Sequence, residues 1–89
     1  MNYSYPINEL WSKQEIVDVV NFFSMVEKAY EVGVVREDLL MAYTRFKQIV
    51  PAKSEEKQIC GKFEKGSGYS AYHAVKKAQT LENGDKVKM

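Results

Sequence analysis

Residues 12–33 read SKQEIVDVVNFFSMVEKAYEVG, and this stretch decides the fold class. Ser12 followed by Glu15 is a capping box: the serine hydroxyl accepts from a free N–H of the first turn, and the glutamate accepts from the N–H of Ser12. Trp11 before the cap and Ile16 just inside it suit a hydrophobic staple. Apolar residues then recur at helical spacing, at Ile16, Val19, Val20, Phe23, Val26 and Tyr30, and Gly33 supplies a C-terminal stop. Phe22, Met25 and Ala29 widen the stripe beyond half of the circumference, more than one flanking helix covers. This helix is therefore expected either at the centre of a small bundle or with one edge in a protein interface.

Outward from it, a second helix is expected over about 36–50, with Glu37 and Asp38 in the first turn, where the helix dipole favours acidic residues, and Pro51 as its end. Ser54 can cap a third helix that Gly66 closes, and a fourth begins near Ser70 and ends near Leu81, burying Ala71, Ala74, Val75 and Ala78. Long β-branched runs of alternating polarity are absent, so no strands are expected. The fold class is all-α, a small four-helix bundle or orthogonal helical array, over a single domain spanning 1–81. Residues 82–89, polar and containing Gly84, are expected to form a flexible tail. The predicted core holds Ile16, Val20, Phe23, Val26, Tyr30, Leu39, Tyr43, Phe46, Ile59 and Phe63.

Composition narrows the function. The 89 residues carry 13 basic and 12 acidic side chains, a net charge of +1, with 45% hydrophobic residues. That is the balance of an ordinary globular domain, neither disordered nor a dedicated polyanion binder. The charge is uneven: residues 1–44 hold three basic and seven acidic residues, and residues 45–89 hold ten basic and five acidic. The two halves either attract each other within the fold or leave a basic face for an anionic partner. The single cysteine, Cys60, excludes an intrachain disulfide. The opening Met1-Asn2-Tyr3-Ser4-Tyr5-Pro6 has neither the basic nor the apolar region of a secretory signal, so a cytosolic location is expected. No apolar run approaches the ~18 residues of a membrane span. The polar face of the first helix sets Asp18, Glu27 and Glu31 against Lys28, which anionic lipid would repel, so no membrane partner is expected.

Five strings carry a family resemblance: Tyr5-Pro6, Trp11 to Tyr30, Arg36-Glu37-Asp38-Leu39-Leu40, YTRFKQIVPAKSEEK over 43–57, and Ser67-Gly68-Tyr69-Ser70-Ala71-Tyr72. Together they resemble the YktA-like family of small uncharacterised proteins from Bacillus-type bacteria, over about residues 3–78. The resemblance implies a compact, all-helical, cytosolic domain, assigns no activity or functional residue, and leaves the tail from Thr80 uncovered.

The residues themselves assemble no catalytic constellation. His73 is the only histidine, and it and Cys60 fall on different predicted helices, whereas metal sites draw on several converging ligands. A Cys–His pair needs hydrogen-bond reach and an orienting third group. Glu55 and Glu56 are adjacent and diverge on a helix, and they serve the dipole of its first turn. Gly66-Ser67-Gly68 lacks the G-x-S-x-G elbow and the G-x-x-x-x-G-K-[ST] phosphate loop, and reads as a helix end with a turn. No enzyme, metal or cofactor is expected.

The leading expectation is a protein-interaction module, with a protein partner or a second copy meeting Phe22, Met25 and Ala29 on the outer edge of the first helix. The alternative is nucleic-acid or phosphate-ligand binding through the last two helices. They have a helix-turn-helix outline and carry Lys62, Lys65, Tyr72, His73, Lys76 and Lys77. Against that alternative stand the near-zero net charge and the absence of arginine, the commonest specific base reader, on that face.

Overall fold

Ser12 starts the longest helix, α1 (Lys13–Glu31), through the expected capping box. Its Oγ accepts from the Glu15 N–H at 3.1 Å, and Glu15 Oε1 accepts from the Ser12 N–H at 2.8 Å. The computed structural model describes residues 5–89, so the expectations touching Met1 to Ser4 (the start of the domain and most of the opening stretch read for a signal) lie outside the described residues. After α1 the chain turns at Gly33, whose φ of 98° favours glycine, into a short strand, β1 (Val34–Val35). Then follow α2 (Arg36–Ile49), α3 (Lys53–Ser67), α4 (Ala71–Thr80) and a second short strand, β2 (Lys86–Val87). Among the described residues the architecture is a four-helix array with one small antiparallel sheet. No helix among them is long and apolar enough to cross a membrane.

Two boundaries differ from expectation. α3 begins one residue before Ser54, with Ala52 at its N-cap and no side-chain cap bond, so Ser54 sits inside the first turn. It also runs past Gly66 to Ser67. The Ser67 hydroxyl donates to the Phe63 carbonyl at 2.7 Å and accepts from the Tyr69 N–H at 3.1 Å, which carries the last turn onward. Closure falls to Gly68, whose φ of 81° supplies the left-handed cap. Ser70 caps α4 as expected, accepting from the His73 N–H at 3.1 Å.

The core is built on four phenylalanines. Phe22 stacks on Phe46 of α2 at 4.8 Å between ring centroids, and Phe23 stacks on Phe63 of α3 at 4.4 Å. The two adjacent rings of α1 thus reach opposite neighbours, and Tyr5 stacks over both Phe23 and Phe63. The buried face of α1 is Val19, Phe22, Phe23, Val26 and Ala29, while Ile16, Val20 and Tyr30, predicted for the core, are only half-buried. The stripe is rotated because α2 and α4 both pack on α1. α4 buries the four small residues expected, Ala71, Ala74, Val75 and Ala78, which bring its backbone close to its neighbours.

The segment 82–89, expected to be a flexible tail, is folded back onto the junction between α1 and α2. Val34 pairs with Val87 and Val35 with Lys86, and the Val87 side chain is fully buried. The Arg36 N–H donates to the Asp85 carbonyl at 2.9 Å, the Gly84 N–H to Glu37 Oε1 at 2.8 Å, and the Met89 N–H to the Ala29 carbonyl at 2.9 Å. The Arg36 guanidinium spans the junction, donating to the Ala78 carbonyl at 2.7 Å and to Asn83 Oδ1 at 2.6 Å. Burial of one valine and satisfaction of the free Ala29 carbonyl near the end of α1 outweigh the polarity that suggested fraying.

Candidate functional site

Phe22 and Ala29 do not form an interaction surface. Both are completely buried, because α2 and the folded-back C-terminal segment take up the apolar surplus that suggested a partner. Of the three expected contacts only Met25 stays partly open. It lines a shallow concavity of about 280 Å³ between α1 and α2, together with the exposed Met41 and the Asp18–Arg45 ion pair at 2.7 Å. The Arg45 guanidinium holds the Asp18 carboxyl below its usual range.

A larger groove of about 470 Å³ opens where α2, α3 and α4 meet. One wall is a face of α3, presenting Lys53, Glu56, Lys57 and Cys60 at the three- and four-residue spacing that aligns side chains along a helix. The opposite wall comes from α4, with Tyr72, Lys76 and Gln79 above Ala71 and Val75. Phe22 of α1 and Tyr43 of α2 reach its floor.

The charges in this groove are unbalanced. Glu56 is its one carboxylate and is already committed: Lys47 Nζ lies 2.6 Å from Oε1, and the Tyr43 hydroxyl donates to Oε2 at 2.9 Å. Desolvation and the neighbouring carboxylate push the Tyr43 phenol up to about 12, so it stays a proton donor. Among the described residues the ion pairs are Arg45–Asp18 and Lys47–Glu56, so Lys53, Lys57 and Lys76 have no carboxylate partner there. Lys76 rests instead on Tyr72, its ammonium 5.5 Å from the ring centroid and donating to the phenol oxygen at 3.2 Å. Burial pushes the Cys60 thiol up to about 12, so at neutral pH it is a protonated, unreactive part of the wall.

The six residues expected to form one basic surface are divided. Tyr72 and Lys76 line the groove. Lys62 lines a separate concavity of about 540 Å³ beneath Ile7, Leu10 and Trp11. Lys65 and Lys77 are exposed outside the groove, and Lys77 donates to the Lys88 carbonyl at 2.7 Å. His73 is also outside, its ring edge-on to Tyr72 at 5.4 Å. Lys53 and Lys57, not among the residues expected for this surface, take the missing places. Their signal was the four-residue spacing, matched by Tyr72 and Lys76 on the next helix.

Fold and groove together define a small helical domain with a lysine-lined cleft, closed by a two-stranded sheet. The chain belongs to the family described as Uncharacterised protein family (UPF0223), which matches residues 2–87 and so includes most of the tail that the resemblance left uncovered. It is 62% identical over 79 residues to the UPF0223 protein OB1419 of Oceanobacillus iheyensis, covering 89% of this chain and 90% of that one. The UPF0223 protein YktA of Bacillus subtilis is 55% identical over the full length of both chains, and a UPF0223 protein of Staphylococcus aureus is 53% identical over 99% of this chain and 97% of its own. None of these names carries an enzymatic activity.

Proposed function

We propose that the protein is a non-enzymatic, cytosolic binding module whose ligand is anionic and occupies the groove between α2, α3 and α4. The observation that carries this reading is the convergence of Lys53, Lys57 and Lys76 on one cleft without a carboxylate to neutralise them. Like charges held close together are unfavourable by themselves and are relieved by a bound anion. The groove's own carboxylate is restrained by Lys47 and Tyr43, so it opposes such a ligand weakly.

Calorimetric titration of inorganic pyrophosphate into the protein at low salt tests the reading. Binding is expected to weaken as salt rises, since these lysines are exposed and screened. It is also expected to vanish in the Lys53→Glu/Lys57→Glu double variant while the fold persists. No heat of binding at low salt, or binding unaffected by the double variant, contradicts it.

A second reading, self-association, rests on Met25 and the neighbouring Met41, a large apolar side chain left 72% exposed. It predicts a dimer that Met25→Glu dissociates without unfolding the chain. A monomer at every concentration in sedimentation equilibrium contradicts it.

A further inference from the structure

We infer that the anion held in this groove is a nucleotide unit, its phosphate among the three lysines and its planar base against Tyr72. The inference rests on the anion-binding reading and deepens it. Plain phosphate calls for polar surroundings on every side, but this groove is mixed. Ala71 and Val75 give it an apolar base, and the charge is confined to Lys53 and Lys57 on one wall and Lys76 on the other. A ligand that matches it has an anionic end and a flat, apolar-faced end.

Tyr72 supplies the surface for the flat end. Its side chain is 64% exposed and lines the groove next to a lysine. Aromatic side chains flanked by cations are the usual platform for unpaired bases, because every base has a π-face and stacks without sequence preference. Lys76 sits at the hydroxyl end of this ring, its ammonium 5.5 Å from the centroid and donating to the phenol oxygen at 3.2 Å. A phosphate competes for that ammonium with a full negative charge against a ring quadrupole. Lys76 therefore turns to the phosphate, beside a ring face that stays open to the base. Gln79, one turn from Val75 on the same wall, brings an amide that both donates and accepts, as base edges require.

Size sets the limit. A groove of about 470 Å³ falls in the range of about 300–1,000 Å³ that holds one small ligand, so it takes a single nucleotide unit and no duplex. Lys53 and Lys57 stand one helical turn apart, about 5–6 Å between Cβ atoms, close enough to share one phosphate group. A free mononucleotide and one residue of a single strand present this same chemistry.

The test compares AMP, ribose 5-phosphate and inorganic pyrophosphate as probes, followed by nitrogen-15 shift mapping on the full chain. AMP is expected to bind about tenfold or more tighter than ribose 5-phosphate, the usual gain from stacking one base. Tyr72→Ala is expected to bring the AMP to ribose 5-phosphate affinity ratio down to about one, and Tyr72→Phe to restore the ratio. The side chain is largely exposed, so the fold survives both changes, as matched melting temperatures will verify. Equal binding of AMP and ribose 5-phosphate, with Tyr72→Ala silent, overturns the nucleotide inference and leaves the anion site standing. Failure of all three probes, pyrophosphate included, overturns both. A short oligouridylate that binds far tighter than AMP identifies single-stranded nucleic acid as the source of the unit, and equal affinity identifies the free nucleotide. Either of these supports the shared chemistry.

Discussion

Replacing Val87 with alanine measures how far the last residues belong to the folded body. The Val87 side chain is fully buried, and its backbone pairs with Val34 across the small sheet. The substitution removes two buried methyl groups, worth about 0.8 kcal/mol each, and leaves a small cavity, so the cost is about 1.5–3 kcal/mol. A domain of this length holds roughly 4–13 kcal/mol in all. At about 4–8 °C per kcal/mol for a chain this small, the melting temperature falls by roughly 6–24 °C. Thermal melts followed by circular dichroism will read this directly, with Lys86→Ala, an exposed change expected to cost under about 0.5 kcal/mol, as the control. If Val87→Ala melts within about 2 °C of the parent and of Lys86→Ala, a range set by ordinary surface substitutions, β2 is not part of the structure and the reasoning fails.

Three further outcomes follow from the packing and the titration behaviour. Phe22→Ala is expected to lower stability by about 3–5 kcal/mol in urea denaturation, whereas an interface role would change the oligomeric state and leave the monomer's stability alone. Cys60 is expected to react with an alkylating reagent about a thousandfold more slowly than a free thiol near pH 8, because a pKa near 12 leaves so little thiolate, and to become fast on unfolding; fast labelling of the native protein refutes this. Arg45 lowers the Asp18 pKa, so the pair's small stabilising effect is complete above the unfolded value near 4 and is lost as pH falls through the folded one. Arg45→Ala is expected to raise the Asp18 titration midpoint observed by NMR, and an unchanged midpoint denies the pairing.

Features coded within one turn were legible in the sequence. The Ser12–Glu15 box and the Ser70 cap stand where local chemistry put them, because each satisfies backbone donors within three residues. The buried face of α1 was harder. Phe22 and Phe23 are both apolar, and only the arrival of Phe46 on one side and Phe63 on the other buries both. The tail escaped altogether: Val34 and Val87 are far apart in sequence, and a two-residue strand has no periodicity to detect. The site was half legible. Tyr72 and Lys76 were singled out from the outer face of α4, but Lys53 and Lys57 gain significance only when α3 is set opposite that helix. Glu56 looked like a dipole partner. Its role in the groove depends on Lys47 and Tyr43, which α2 delivers from across the junction.

The anion-binding groove is tested most directly by following the backbone amide signals of nitrogen-15-labelled protein as inorganic pyrophosphate is added at low salt. Shifts are expected to be confined to the groove walls, around Lys53 to Cys60 on α3 and Tyr72 to Gln79 on α4, and to be reversed by added salt. No shifts, or shifts centred on Asp18, Met25 and Arg45 instead, contradict it.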